Sequence, residues 1–265
     1  MTLSQKVPVL NWFREETGPG DDEVVTEVPV ALSYNKLSHV VMMLTPDALE
    51  DFAIGFSLTE GIIDHVSDVL DITILDRSNG LEVAMQLKPE LFARLENQRR
   101  NLVGRTGCGL CGAESLDQAT RHPATVGSRV SIGAMALQNA VKTLNDHQPL
   151  QVITGAVHGA AWCNLEGEVQ ALSEDVGRHN ALDKLIGSLS RNGFDNSAGF
   201  ALISSRASYE MVYKAAAAGI EILVAVSAPT SLAIDFAQRC GITLVGFARP
   251  GRHNVYTFEK RIINT

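Results

Sequence analysis

Phe200-Ala201-Leu202-Ile203-Ser204 is an apolar run of strand length, and the residues after it alternate in texture. Residues 209–218 read as a helix, 220–226 as a second apolar strand, 231–239 as a second helix and 242–247 as a third strand. Strand, helix, strand, helix, strand with short connections implies a parallel sheet covered by helices.

Upstream the texture changes. Val152-Ile153-Thr154-Gly155-Ala156-Val157-His158-Gly159-Ala160-Ala161-Trp162 is apolar with small residues, and residues 169–173 read as a short strand. Glu174-Asp175-Val176-Gly177-Arg178-His179-Asn180 is a dense polar turn that opens a helix carrying Leu182, Leu185, Ile186 and Leu189. Residues 131–145 are predicted helical. Nearer the N-terminus, residues 24–33 and 37–44 read as strands joined at Tyr34-Asn35-Lys36, and residues 71–75 and 81–87 as a hairpin. Thr45 is placed as a helix N-cap ahead of Pro46, with Leu49, Phe52, Ala53 and Phe56 on one face. A further helix covers 89–101. The lead-in 1–22 ends in Gly18-Pro19-Gly20-Asp21-Asp22 and is expected to be a flexible arm. The expected organisation is α/β, a mixed sheet with helices on its faces and a smaller N-terminal α+β portion. Residues 23–130 form the N-terminal region and 131–265 the α/β region.

Composition narrows the function classes. The formal net charge of −8 argues against general nucleic-acid binding. Four cysteines in 265 residues do not make a disulfide framework. Residues 1–16 contain no apolar run preceded by positive charge, and the most apolar region, 220–237, is interrupted by Glu221, Pro229 and Asp235. The expectation is a cytoplasmic protein with reduced thiols, no signal peptide and no membrane span.

Gly104-Arg105-Thr106-Gly107-Cys108-Gly109-Leu110-Cys111-Gly112 packs two cysteines and four glycines into nine residues. Such a pair can do redox chemistry, bind a metal or carry a sulfur atom. A structural zinc site needs four ligands, but Cys163 and Cys240 are single and the histidines show no matching spacing. A zinc deaminase needs His-x-Glu ahead of Pro-Cys-x-x-Cys; here Gly107 precedes Cys108 and no His-x-Glu occurs. A thioredoxin-like pair would open a helix after an early strand. A sulfur-carrying pair on a mobile loop remains, beside the plainer reading of an ordinary reduced pair. Arg105 would favour the thiolate.

The Gly104 to Gly112 stretch resembles the signature of the FdhD/NarQ family of formate dehydrogenase accessory sulfurtransferases. Further blocks agree in the same order: Glu27-Val28-Pro29-Val30-Ala31-Leu32; Phe52-Ala53-Ile54-Gly55-Phe56 with Glu60-Gly61-Ile62-Ile63; Glu174 to His179; Ser204-Ser205-Arg206-Ala207-Ser208-Tyr209-Glu210-Met211-Val212; and Gly246-Phe247-Ala248-Arg249-Pro250-Gly251-Arg252. The resemblance implies a cytidine-deaminase-like fold and a homodimer. It implies that a cysteine desulfurase donates sulfur as a persulfide to Cys108, with Cys111 as partner. The sulfur then passes to the molybdenum bis(pterin guanine dinucleotide) cofactor before that cofactor enters formate dehydrogenase. Phe247, Ala248, Arg249, Pro250, Gly251 and Arg252 would hold the cofactor, a bound substrate through its guanine nucleotide moiety; no resident metal is expected.

The residues suit that role. Two guanidiniums on a turn after a strand can grip phosphate bidentately, and ligands on open α/β sheets sit at strand carboxyl ends. Arg206 holds a similar position and is a weaker second contact. His158, Glu174, Asp175, Arg178 and His179 have two readings. They join the site, or they are structural, as a buried histidine, as caps, or as an i, i+4 pair of His179 with Asp183. Cys163 and Cys240 are expected to be small buried hydrophobes and Trp162 a core residue. The competing function is a delivery chaperone for the same cofactor without sulfur chemistry.

Overall fold

A computed structural model describes residues 1–100 and 125–264. Residues 1–22, expected to be a flexible arm, carry strand structure: β1 (Ser4–Phe13) and β2 (Glu16–Val25) pair antiparallel from Ser4↔Val25 to Phe13↔Glu16. Arg14 and Glu15 both take positive φ, 49° and 72°, the geometry of a two-residue turn whose twist suits a hairpin. The Gly-Pro-Gly run hid β2, because these residues normally end strands rather than build them.

The next unit is a four-stranded sheet. β3 (Val28–Tyr34), β4 (Leu37–Leu44), β5 (Val69–Arg77) and β6 (Gly80–Leu87) lie in the order β4-β3-β6-β5, with β3 and β6 parallel. Its inner face carries Val30, Leu32, Val83 and Met85 against Phe52 and Phe56 of α1 (Leu49–Thr59). α2 (Pro89–Arg100) follows. Thr45 does not cap α1. Ala48, at φ 48°, precedes the helix, and Thr45 bonds to the C-terminal unit instead.

The C-terminal unit begins with β7 (Ile132–Gly133), α3 (Ala134–Thr143) and the short α4 (Pro149–Thr154). Then come β8 (His158–Asn164), β9 (Val169–Asp175), α5 (Arg178–Arg191), β10 (Gly199–Ile203), α6 (Tyr209–Ala217), β11 (Ile222–Ala225), α7 (Ser231–Cys240), β12 (Thr243–Arg249), β13 (Arg252–Val255) and β14 (Ile262–Ile263). Six strands make one mixed sheet, β13-β12-β11-β10-β8-β9. The β10, β11 and β12 strands are parallel, as expected; β8, β9 and β13 join antiparallel to their neighbours. Both faces are covered. Ala201, Ile203 and Leu223 meet Leu182 and Leu185 of α5, Met211 of α6 and Phe236 of α7. Leu202, Val224 and Val245 meet Leu137 and Val141 of α3. Successive strand residues point to opposite faces, so burial of both requires an unbroken apolar run. Among the described residues no helix is long and apolar enough to cross a membrane.

The two units join where α1 crosses α5. A Cβ on Gly55 would overlap the Asp183 carbonyl, and one on Gly187 would overlap the Asp51 carbonyl. The helices therefore touch backbone to backbone. Two buried ion pairs flank the crossing. Lys184 Nζ lies 2.7 Å from Asp175 Oδ2, and Thr45 joins them, donating its hydroxyl to Asp175 at 2.8 Å and accepting from Lys184 at 2.6 Å. Lys214 Nζ lies 2.8 Å from Asp183 Oδ2, and Thr59 donates to Asp183 at 2.8 Å. Each network takes its threonine from the N-terminal unit. A methyl at a solvent-facing helix glycine stabilises by about 1 kcal/mol. Gly187→Ala is expected to do the opposite, lowering stability by about 3 kcal/mol through forced separation of the helices. Urea unfolding measures it; an unchanged or raised midpoint would contradict the crossing.

Candidate functional site

Register brings the sequence-predicted residues to one edge. Leu172, Ala161, Leu202, Val224, Val245 and Val255 form a row across all six strands. Beyond that row β10 and β11 end at Ile203 and Ala225, releasing Ser204-Ser205-Arg206 and Val226-Ser227. The antiparallel strands reach the same edge with their other ends. His158 begins β8 opposite Asp175 at the end of β9, and Arg252 begins β13. β12 runs on to Arg249, roughly 10 Å past its parallel neighbours at about 3.3 Å per residue. The edge is thus a floor of strand ends with the β12–β13 hairpin standing beside it.

That hairpin carries the predicted segment Phe247 to Arg252. Gly246 faces Asn254 and Arg249 faces Arg252, so Phe247 and Ala248 together oppose His253 in a bulge. Phe247 takes φ 50° and its N–H bonds Ser227 O at 3.0 Å, which ties the bulge to the loop after β11. Pro250-Gly251 is the two-residue turn, with Gly251 at φ 82°, as a type II turn requires. Gln138 of α3 clamps it. Its Oε1 accepts from Gly251 N at 2.7 Å, and its Nε2 donates to Arg252 O at 3.2 Å and approaches His253 Nδ1 at 2.9 Å. Gln138 had no sequence signal, being one polar residue on a helix. Ala248 is buried, while Arg249 and Arg252 are exposed and have no ion-pair partner among the described residues.

A second group of side chains gathers at the opposite end of the edge. Arg178 and His179 open α5, Ser208 and Glu210 open α6, and His158 opens β8. His179 Nε2 lies 2.7 Å from Glu210 Oε2, close but not aligned as a hydrogen bond. Burial holds His179 below the ordinary imidazole range; Glu210 opposes that shift, while Arg178, Lys214 and His158 reinforce it. His158 is lowered by burial and by the Arg178 charge, against an opposing pull from Asp175. The two readings of the polar turn therefore separate. Glu174 is structural, accepting from Leu150 N at 2.9 Å and Gln151 N at 2.8 Å to cap α4. Asp175 is structural too, bonding Lys184, Gly177 N and Asn180 Nδ2. The i, i+4 pair of His179 with Asp183 does not form, because Asp183 is committed to Lys214 and Thr59. His158, Arg178 and His179 face the edge with one another.

Arg206 is exposed on the loop after β10. Cys163 and Cys240 are buried; burial pushes the Cys163 thiol up to about 12 and raises that of Cys240, so neither is a nucleophile at neutral pH. Trp162 is core. Cys108 and Cys111 lie outside the described residues. Among the described residues no three His, Cys, Asp or Glu side chains gather in a way that could hold a metal ion. A groove of about 450 Å³ runs along β9, lined by Leu3, Thr45, Leu150, Leu172, Glu174 and Lys184. The polar side chains of Thr45, Glu174 and Lys184 are bonded to one another, to Asp175 or to backbone.

A mixed sheet with helices on both faces, and with arginines and histidines along one edge, defines an α/β protein with a cationic edge. The chain belongs to the FdhD/NarQ family, whose model matches residues 25–263. It is 53% identical over 254 residues to the sulfur carrier protein FdhD of Cupriavidus necator, covering 96% of this chain and 88% of that one. It is 50% identical over 241 residues to the sulfur carrier protein FdhD of Xanthomonas euvesicatoria pv. vesicatoria, covering 91% and 86%. A crystal structure from Desulfotalea psychrophila, of a protein assigned as a formate dehydrogenase accessory protein, superposes with a TM-score of 0.76 at 26% identity, covering 99% of this chain and 100% of that one.

Removing the opposing carboxylate tests the cluster's electrostatics. Glu210→Gln is expected to move the His179 titration to lower pH, since burial then acts with less opposition. A histidine ring NMR titration reads it; an unchanged midpoint would place Glu210 away from the ring.

Proposed function

We propose that this protein is a sulfur carrier acting for formate dehydrogenase. The observation that carries the proposal is identity of 53% along 96% of the chain to a protein named as a sulfur carrier. The Cys108-x-x-Cys111 pair and the exposed arginine hairpin suit that role. Cys108 takes sulfur from a cysteine desulfurase: its thiolate attacks the outer sulfur of the donor's persulfide, the donor's S–S bond breaks, and the donor leaves as thiolate. Cys111 assists. The acceptor is the molybdenum bis(pterin guanine dinucleotide) cofactor, bound as substrate. Phe247 through Arg252 hold its guanine nucleotide moiety, with Arg249 and Arg252 set out from the protein to meet phosphate. Kinship of the C-terminal sheet to cytidine deaminases, a homodimeric state and action in the cytoplasm belong to the same proposal.

The physical support is a division of labour. A polyanionic ligand meets a protein of net charge −8, so its binding requires a local cationic surface, and the projecting hairpin offers one. A thiol that accepts sulfur must be reactive, and the two described cysteines are buried with raised pKa values, which leaves Cys108 and Cys111 for the chemistry.

Incubation with a cysteine desulfurase and cysteine, followed by mass spectrometry, is expected to show one added sulfur on Cys108. Cys108→Ala should abolish that mass and the activation of formate dehydrogenase. A variant that still acquires stable persulfide and still activates would remove the assignment. Arg249→Ala with Arg252→Ala should weaken guanosine diphosphate binding roughly a hundredfold, as expected for two charge-assisted contacts at about 1.5 kcal/mol each. Unchanged affinity would detach the hairpin from nucleotide binding.

A further inference from the structure

The cluster of His158, Arg178, His179, Ser208 and Glu210 has features that a purely structural role does not explain. Arg178 Nε and Ser208 Oγ are buried polar atoms with no hydrogen-bond partner among the described residues. A buried polar group left unpaired costs about 1–3 kcal/mol, and these two sit at the starts of α5 and α6, helices joined there by the His179–Glu210 approach, so they point to a group that completes them. Ser208 is the N-cap residue of α6, yet its hydroxyl makes no capping bond to its own helix. His179 Nε2 is likewise close to Glu210 without an aligned bond. The backbone beneath is fixed. Asp175 Oδ1 accepts from Gly177 N and Asn180 Nδ2, both at 2.9 Å, which holds the turn that presents Arg178 and His179.

We propose that His158, Arg178, His179 and Ser208 form a second anion subsite, one that takes a phosphoryl group. A tetrahedral phosphoryl oxyanion accepts several donors at once, which matches a guanidinium, a hydroxyl and two imidazoles arriving from three elements. The start of α5 adds its partial positive charge. β8 and β12 are separated by β10 and β11, so three inter-strand spacings, about 14 Å, divide this subsite from the arginine hairpin. One extended ligand bearing more than one phosphoryl group reaches both. This inference rests on the ligand proposed above, and it assigns a second contact to it.

The subsite carries a protonation signature. Arg178 and Asp175 act on His158, and Glu210, Arg178, Lys214 and His158 act on His179. In the free protein both rings are held below the ordinary range, first by burial. A bound phosphoryl anion favours the protonated rings and raises their pKa values. Affinity is then greatest at low pH and falls as pH rises through the bound-state values.

Isothermal titration of the full chain with inorganic pyrophosphate and, separately, guanosine diphosphate tests the subsite. Arg178→Gln is expected to weaken both about tenfold, and Ser208→Ala several-fold. Wild-type affinity for pyrophosphate should decline from about pH 6 to about pH 8, and His158→Gln with His179→Gln should flatten that decline. Should Arg178→Gln not fold, Ser208→Ala decides, since its hydroxyl supports no helix. Unchanged affinity in the folded variants would overturn the subsite, as would a wild type that binds neither probe. Guanosine diphosphate binding lost in Arg249→Ala with Arg252→Ala but kept in Arg178→Gln would sink the subsite and leave the hairpin proposal standing. Pyrophosphate binding that depends on Arg178, without any nucleotide binding, would do the reverse.

Discussion

The backbone crossing of α1 and α5 sets the geometry of everything else in the molecule. Gly55 and Gly187 have no Cβ, and a Cβ at either position would overlap a carbonyl of the other helix. That closeness lets Thr45 and Thr59 reach the buried Lys184–Asp175 and Lys214–Asp183 pairs from the other unit. Buried ion pairs contribute modestly to net stability but penalise loss of either partner by about 3–5 kcal/mol. They act here as positional locks. A threonine out of register would leave a buried charge short of a hydrogen bond, so the networks select one docking of the two units.

The same locks position the functional edge. Asp175 both binds Lys184 and holds the turn from Gly177 to Asn180, and that turn presents Arg178 and His179. Lys214 of α6 binds Asp183 of α5, which keeps Glu210 near His179. At the far end of the edge, Gln138 and the Phe247 N–H fix the arginine hairpin from two directions. A site of preset donors loses little conformational entropy when it binds, so little of the contact energy is spent on ordering.

Much of this architecture was legible in the sequence. Apolar runs at Phe200 to Ile203, Ile222 to Ala225 and around Val245 announce strands buried on both faces, and the helices between them have clear periodicity. The arginines of Arg249-Pro250-Gly251-Arg252 and the polar turn before α5 stood out for the same reason, as charge set at strand ends. The hidden features depended on partners distant in sequence. Thr45 read as a local cap because Asp175 and Lys184 lie far along the chain. Gln138 gained its role from the hairpin that it clamps. His179 and Asp183 have pairing distance along a helix, but Lys214 had already claimed the aspartate. The hairpin β1–β2 was missed because Gly18, Pro19 and Gly20 normally interrupt strands. Separation of Glu174 and Asp175 from the neighbouring Arg178 and His179 likewise required the fold.

We propose that the anionic ligand sits on the carboxyl edge of the six-stranded sheet, between the arginine hairpin and the His158–Arg178–His179 cluster. A crystal structure of the protein with guanosine diphosphate is the decisive experiment. Nucleotide density is expected on that edge, with phosphate oxygens within hydrogen-bond distance of Arg249 or Arg252, of Arg178, or of both groups. Nucleotide seated in the groove along β9, beside Thr45 and Leu150, or anywhere else away from the edge, would contradict the proposal.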